Sequence, residues 1–286
     1  MQETLIVRFW GVRGSIPSPG FSTLRYGGNT PCVEVHAGAT RLIFDGGTGL
    51  RVLGQALLKQ MPLEAHLFFG HTHWDHIQGF PFFTPAFIEG NRFHIYGTLG
   101  PQGQTIEQRL TDQMLHPNFP VPLQVMGGEL KFYDLEVGQT LVLGAVTVRN
   151  GPLNHPGGAV GYRVEWQGRV VSYITDTEHP PDGLDLNVLA LAQGADVLIY
   201  DATYTDAEYQ DSYHSKVGWG HSTWQVAIQV AQAAAAERLV LFHHDPLHDD
   251  GFLDQVAAAA QAKFASTMVA HEGLTLCLLP RACLGT

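Results

Sequence analysis

The sequence has little cysteine, little positive charge and no long apolar run. Its three cysteines are Cys32, Cys277 and Cys283, and none lies in a C-x-x-C spacing. At least one is unpaired, which argues for free thiols and a cytoplasmic protein rather than a disulfide framework. Lys and Arg number 16 against 27 Asp and Glu, a formal charge of −11. That balance argues against a surface that holds long nucleic acid by neutralising phosphates. A small anionic substrate stays open, because bound metal reverses a local field. No basic segment precedes an apolar core near Met1, and no apolar run approaches the length of a membrane span, so neither signal peptide nor membrane anchor is expected. Low-complexity linkers and internal repeats are also missing.

Glycine (32) and histidine (15) are plentiful. The histidines concentrate in HTHWDHIQG, residues 71–79, after the apolar run AHLFFG. Alternation brings His71 and His73 to one side of an extended segment, and Asp75 and His76 fall where the chain turns. Imidazole nitrogens and carboxylate oxygens are ligands for a borderline divalent ion such as zinc. Four such groups this close crowd one tetrahedral ion, so the spacing points to two adjacent metals.

Other strand-like runs end in groups of the same type. LIFDGGTGL leads from a strand through Asp45 into a helix over about 49–60. Asp45 either faces a crevice or caps that helix. His155 lies on the turn NHPGG, Asp176 ends RVVSYITD, and Asp201 ends DVLIYD. RLVLFHH ends in His243 and His244. Helices are expected over 101–115, 184–195, 223–237 with Ser222 as N-cap, and 249–265. Strands dominate early and alternate with helices later. Ligand candidates spread over most of the chain and meet only if residues 1–286 form one domain.

The series H-x-H-x-D-H, a lone His, Asp after a strand and His after a strand resembles the metallo-β-lactamase superfamily, from LIFDGGTG to FHHDP. The resemblance implies an α/β (α+β) fold, a four-layer αββα sandwich with a two-metal site at one edge of its sheets. Carried over by position, His71, His73 and His155 hold one metal, Asp75, His76 and His243 the other, and Asp176 bridges them. His243 is preferred to His244 as the first residue after the strand. Asp45 and Asp201 either orient ligands by hydrogen bonds or cap loops. Two divalent ions are implied, zinc first, with manganese or iron also admitted by the carboxylates.

GHSTWQVAIQVAQAA followed by ERLVLFHH is similar to the segment before the last ligand in the ribonuclease Z and phosphodiesterase branch. His221 is then the general acid or a phosphate contact, unless it only caps the following helix; with Asp75 it makes up the catalytic candidates. GVRGSIPSPG and RYGGNTPC resemble a bacterial group related to cyclic-phosphate phosphodiesterases, including phosphoribosyl cyclic phosphodiesterase. Arg13 and Asn29 there either meet substrate or form turns. Phe119, in the proline-rich loop 116–124, and His214 are further substrate contacts to test. Two departures bear on substrate. No long basic arm for tRNA is present, and no cysteine-rich structural zinc site. The expectation is a dinuclear phosphodiesterase for a small cyclic or linear phosphodiester, with a homodimer common in this branch. A thioester or lactone hydrolase on the same fold, or a metal-binding module without catalysis, are the alternatives.

Overall fold

The computed structural model describes residues 4–281. The first strand shows how the sequence builds the sheets. In β1 (Leu5–Gly11) Leu5, Val7 and Phe9 are fully buried and alternate with half-buried neighbours. An alternating strand lays one face on a core. The first sheet then has the spatial order β14 (Thr275–Leu278), β1, β2 (Cys32–Ala37), β3 (Thr40–Phe44), β4 (Glu64–Phe68), β5 (Arg92–Thr98) and β6 (Glu129–Leu135). Pairing is antiparallel up to β3 and parallel from β3 to β6.

The second sheet has the order β13 (Thr267–Val269), β12 (Leu239–Phe242), β11 (Val197–Asp201), β10 (Arg169–Ile174), β9 (Ala159–Trp166), β8 (Val146–Leu153) and β7 (Thr140–Leu143). Strands β10 to β13 are parallel. VLIYD of β11 and LVLF of β12 are buried throughout. Such uninterrupted apolar strands need cover on both faces.

That cover makes the αββα sandwich. Phe9, Phe44, Phe68, Tyr162, Tyr173 and Phe242 fill the space between the sheets. Helices α1 (Gly49–Leu57) and α3 (Ile106–Asp112) pack on the first sheet. Helices α4 (Leu186–Ala192), α6 (Trp224–Ala233) and α7 (Asp250–Lys263) pack on the second. Two one-turn helices, α2 (Trp74–Ile77) and α5 (Asp206–Tyr209), lie in loops. Among the described residues no helix is long and apolar enough to cross a membrane. Cys32 and Cys277 are free thiols, and Cys283 lies outside the described residues.

Two helix expectations need correction. The helix expected over 101–115 is confined to Ile106–Asp112. Residues 100–104 close a turn, with Gly100 N donating to the Gln104 carbonyl, and the Thr105 hydroxyl accepts from Gln108 N as the true cap. Helix α6 is capped by Thr223, not Ser222: Thr223 Oγ1 accepts from Val226 N. Ser222 instead donates its backbone N–H to Asp201 and places its hydroxyl 3.1 Å from His179 Nδ1.

Candidate metal centre

All but His155 of the ligand-type residues lie at or beyond the C-terminal ends of parallel strands, where open α/β sheets place their sites. Asp45 follows β3, residues 71–76 follow β4, Asp176 follows β10 and His243 follows β12. Asp45, Asp176 and His243 have φ of 60°, 58° and 63°. Left-handed backbone is uncommon for residues other than glycine and costs about 1–3 kcal/mol at such sites. The turn carries each side chain off the line of its strand. Backbone anchors fix it: Asp45 N donates to the Phe68 carbonyl, and Asp176 N donates to Asp201 Oδ2.

The side chains converge. His71, His73 and His155 have ring centroids 4.4 to 4.8 Å apart. They form one set whose ligand atoms lie within 4.8 Å of one another, and Asp75, His76 and His243 form a second. Asp176 joins His71 and His76 in a third. Its Oδ1 is 3.8 Å from both His71 Nε2 and His155 Nε2 and 3.4 Å from His243 Nε2, while Oδ2 is 3.2 Å from His76 Nε2. The cluster is buried except at His73, which opens to solvent.

The donor set fits divalent metal. Both ring nitrogens of His71 and Nε2 of His76 are buried without a hydrogen-bond partner. His76 Nε2 is near two carboxylates, yet without the direction of a hydrogen bond. Such orphaned groups are costly unless something else satisfies them. Burial, with His76 nearby, holds His71 well below the usual histidine range, and burial also lowers His73 and His155. Burial pushes Asp176 up, but His243, His76 and His71 outweigh it and keep the carboxylate ionised. Neutral imidazoles and an ionised carboxylate are the states ligation requires. His76 differs: burial opposes its proton, but Asp176, Asp75 and Asp45 outweigh that and raise it. A divalent ion bound there would supply positive charge in place of that proton.

Neighbours hold the rings of His76 and His155 in place. Asp45 Oδ2 is 2.8 Å from His76 Nδ1 and accepts from Tyr173 Oη, and Oδ1 accepts from Gly70 N. His155 Nδ1 is 2.8 Å from the Gly220 carbonyl. Gly220 has φ +85°, and a Cβ there would lie 2.3 Å from His155 Nδ1. Glu178 fastens this loop, accepting from Gly218 N, Gly220 N and Tyr209 Oη. We expect Gly220→Ala to displace His155 and lower metal affinity about 10–100-fold, the usual cost of disturbing a ligand's support. Titration of metal-free protein with zinc against a competing chelator checks this. Unchanged affinity would mean that the loop adjusts freely.

His221 stands at the edge of the cluster, its ring stacked on His243 at 4.9 Å and 5.2 Å from His155. Its Nδ1 is 2.9 Å from Asp201 Oδ2. Burial lowers its pKa, but the charge and hydrogen bond of Asp201, with help from Asp176 and Asp75, hold it at about 9. Asp201 thus serves both His221 and the backbone of Asp176. Thr203 Oγ1 adds bonds to Asp201 and the His243 carbonyl.

The family model for the β-lactamase superfamily domain matches residues 40–244. The chain belongs to this superfamily. Ribonuclease Z of Cyanothece sp. is 38% identical over 111 residues, covering 38% of this chain and 32% of that relative. Ribonuclease Z of Thermococcus gammatolerans is 28% identical over 259 residues, covering 75% of this chain and 78% of that relative. Among solved structures, the metallo-β-lactamase fold protein YhfI from Bacillus subtilis aligns with TM-score 0.70 at 18% identity, covering 96% of this chain and 100% of that one. With full-length relatives named ribonuclease Z and the clustered histidines and aspartates, this superfamily member is a metal-dependent hydrolase.

Several expected contacts lie elsewhere in it. Arg13 is fully buried and donates to the carbonyls of Gly27, Asp245 and His248, so it ties loops together instead of meeting substrate. Asn29 gives its N–H and its amide to Glu272, and its carbonyl accepts from Val12 and Arg13. His214 is exposed, beside Asp211. His244 turns away from His243 to the Ala270 carbonyl. Phe119 lines a cavity with Trp74 and Phe82. Sequence reading missed Glu178, Tyr173, Thr203 and Arg109, which donates to Thr72 Oγ1 inside the HTH motif. Only the strand-end positions of Tyr173 and Thr203, beside Asp176 and Asp201, hinted at a role.

Proposed function

We propose that this chain is a phosphodiesterase that holds two divalent ions and hydrolyses a small cyclic or linear phosphodiester. The ions, zinc by preference for the nitrogen-rich set, are held by His71, His73 and His155 and by Asp75, His76 and His243, with Asp176 between them. When bound, they activate a water and hold the phosphoryl oxygens. The observation that carries the reading is His221, bonded through Nδ1 to Asp201 at the edge of the ligand cluster.

With Nδ1 engaged, Nε2 is the atom free to deliver a proton to the leaving oxygen. Divalent charge at the adjoining ligands would oppose the raised pKa of His221 and ease release of its proton. Asp201 fixes the ring's orientation through this step. Ser15 N donates to Asp75 Oδ2 at 2.8 Å, which holds Asp75 in position while it binds metal. A buried site open at His73, on a chain of net charge −11, favours small substrates. The names of the ribonuclease Z relatives favour a second reading, cleavage of RNA.

The test uses metal-loaded protein with metal content measured on the same preparation. Substrates are bis(p-nitrophenyl) phosphate, cyclic mononucleotides, ribose cyclic phosphates, short RNA and a thioester. Small diesters are expected to give the higher kcat/KM. A preference for RNA would replace the small-substrate reading, and thioester turnover alone would overturn the phosphodiesterase.

A further inference from the structure

Beside the metal centre lies a cavity of about 880 Å³, within the range of small-ligand pockets. Its lining adjoins the centre along the chain. Trp74 lines it and sits between His73 and Asp75 in sequence, and the loop that donates Ser15 N to Asp75 continues into its lining at Ile16. Three aromatic rings face it, those of Trp74, Phe82 and Phe119. Trp74 and Phe82 are 70% and 54% exposed, although large apolar side chains normally find cover. Phe82 and Phe119 meet edge to face at 5.6 Å.

Ile16, Pro17 and Pro81 add apolar wall, and four polar side chains of the lining are uncommitted. Arg51, Gln78 and Asn118 make no side-chain hydrogen bond or ion pair among the described residues, and Gln113 Nε2 is buried without a partner. No carboxylate lines the cavity. Aromatic faces stack on planar rings, amides bond the edges of such rings, and a lone guanidinium suits a nearby phosphate. An aliphatic chain would use the apolar wall and leave the amides unsatisfied.

We infer that this cavity is a base subsite, which takes the nucleobase of a nucleoside-bearing phosphodiester while the ligand cluster takes its phosphate. The inference deepens the phosphodiesterase reading and rests on it for the role of the neighbouring centre. Adenosine 5′-monophosphate and ribose 5-phosphate differ by the base alone. Their binding to zinc-loaded full-length protein is measured by calorimetry and by quenching of tryptophan fluorescence. The nucleotide is expected to bind about tenfold or more tightly than the sugar phosphate, a size typical of stacking. Trp74→Ala and, separately, Phe82→Ala are expected to remove most of that difference and leave ribose 5-phosphate binding in place. Both side chains are exposed, so neither substitution removes a core residue. Equal binding of the two probes, no nucleotide binding, or a difference that survives both substitutions overturns the base subsite. Bis(p-nitrophenyl) phosphate is assayed on the same preparation. No turnover beside intact base-dependent binding overturns the phosphodiesterase alone, and turnover without base-dependent binding overturns the subsite alone.

Discussion

Asp176→Ala is expected to lower the metal content of the purified protein and to reduce phosphodiester turnover by about a thousandfold or more. The expectation follows from position. Its two oxygens face His71, His155 and His243 on one side and His76 on the other, at 3.2 to 3.8 Å. In the proposed two-ion site, removing them would take a ligand from each ion and leave a surplus of buried imidazoles. Metal ions provide several kcal/mol of transition-state stabilisation, and each 1.36 kcal/mol is about tenfold in rate. Metal per chain by plasma mass spectrometry and kcat/KM for bis(p-nitrophenyl) phosphate decide the matter. A variant that keeps both ions and the parent rate would remove Asp176 from the bridging position.

The second large effect is expected at His221, and its pattern is more telling than its size. His221→Ala should cost about 10²–10⁴ in kcat, the usual worth of a general acid, with metal content unchanged. The loss should be greatest for diesters whose leaving oxygen is an alkoxide and smaller for p-nitrophenolate, which departs with little protonation. A residue that merely packs against His243 would harm both substrates alike. Loss of metal in the variant would instead identify His221 as a ligand, a role compatible with its closeness to His155 and Asp176.

Most of the candidate ligands were readable because they follow apolar strands, and the ends of parallel strands meet at one edge. HTHWDH after β4, Asp176 after β10 and His243 after β12 all obey that rule. Their supports did not show because their reasons lie far away in the chain. Glu178 looks like a loop acid until Gly218 and Gly220, some 40 residues on, turn their N–H groups toward it. Arg13 offered a charge in a glycine-rich loop, but burial and three carbonyl partners, two of them beyond residue 240, decide its use. The cavity was only partly legible, since Trp74 and Phe82 lie in one connection between β4 and β5, whereas Phe119 joins them from the segment before β6 only after folding. Ser222 and Thr223 are both good caps by type. The strand-end carboxylate of Asp201 claims the N–H of Ser222, which leaves the capping to Thr223.

The ligands also come from both sheets. Residues 71–76 leave the first sheet after β4, whereas His155, Asp176 and His243 leave the second after β8, β10 and β12. Ions held there would act as a rivet through the seam of the sandwich. Separating the layers would then require breaking coordination, so resistance to unfolding is expected to depend on free metal, growing by about 2.7 kcal/mol at a hundredfold excess over Kd. The same atoms that favour hydrolysis would then set how long the two halves of the protein stay together when metal is scarce.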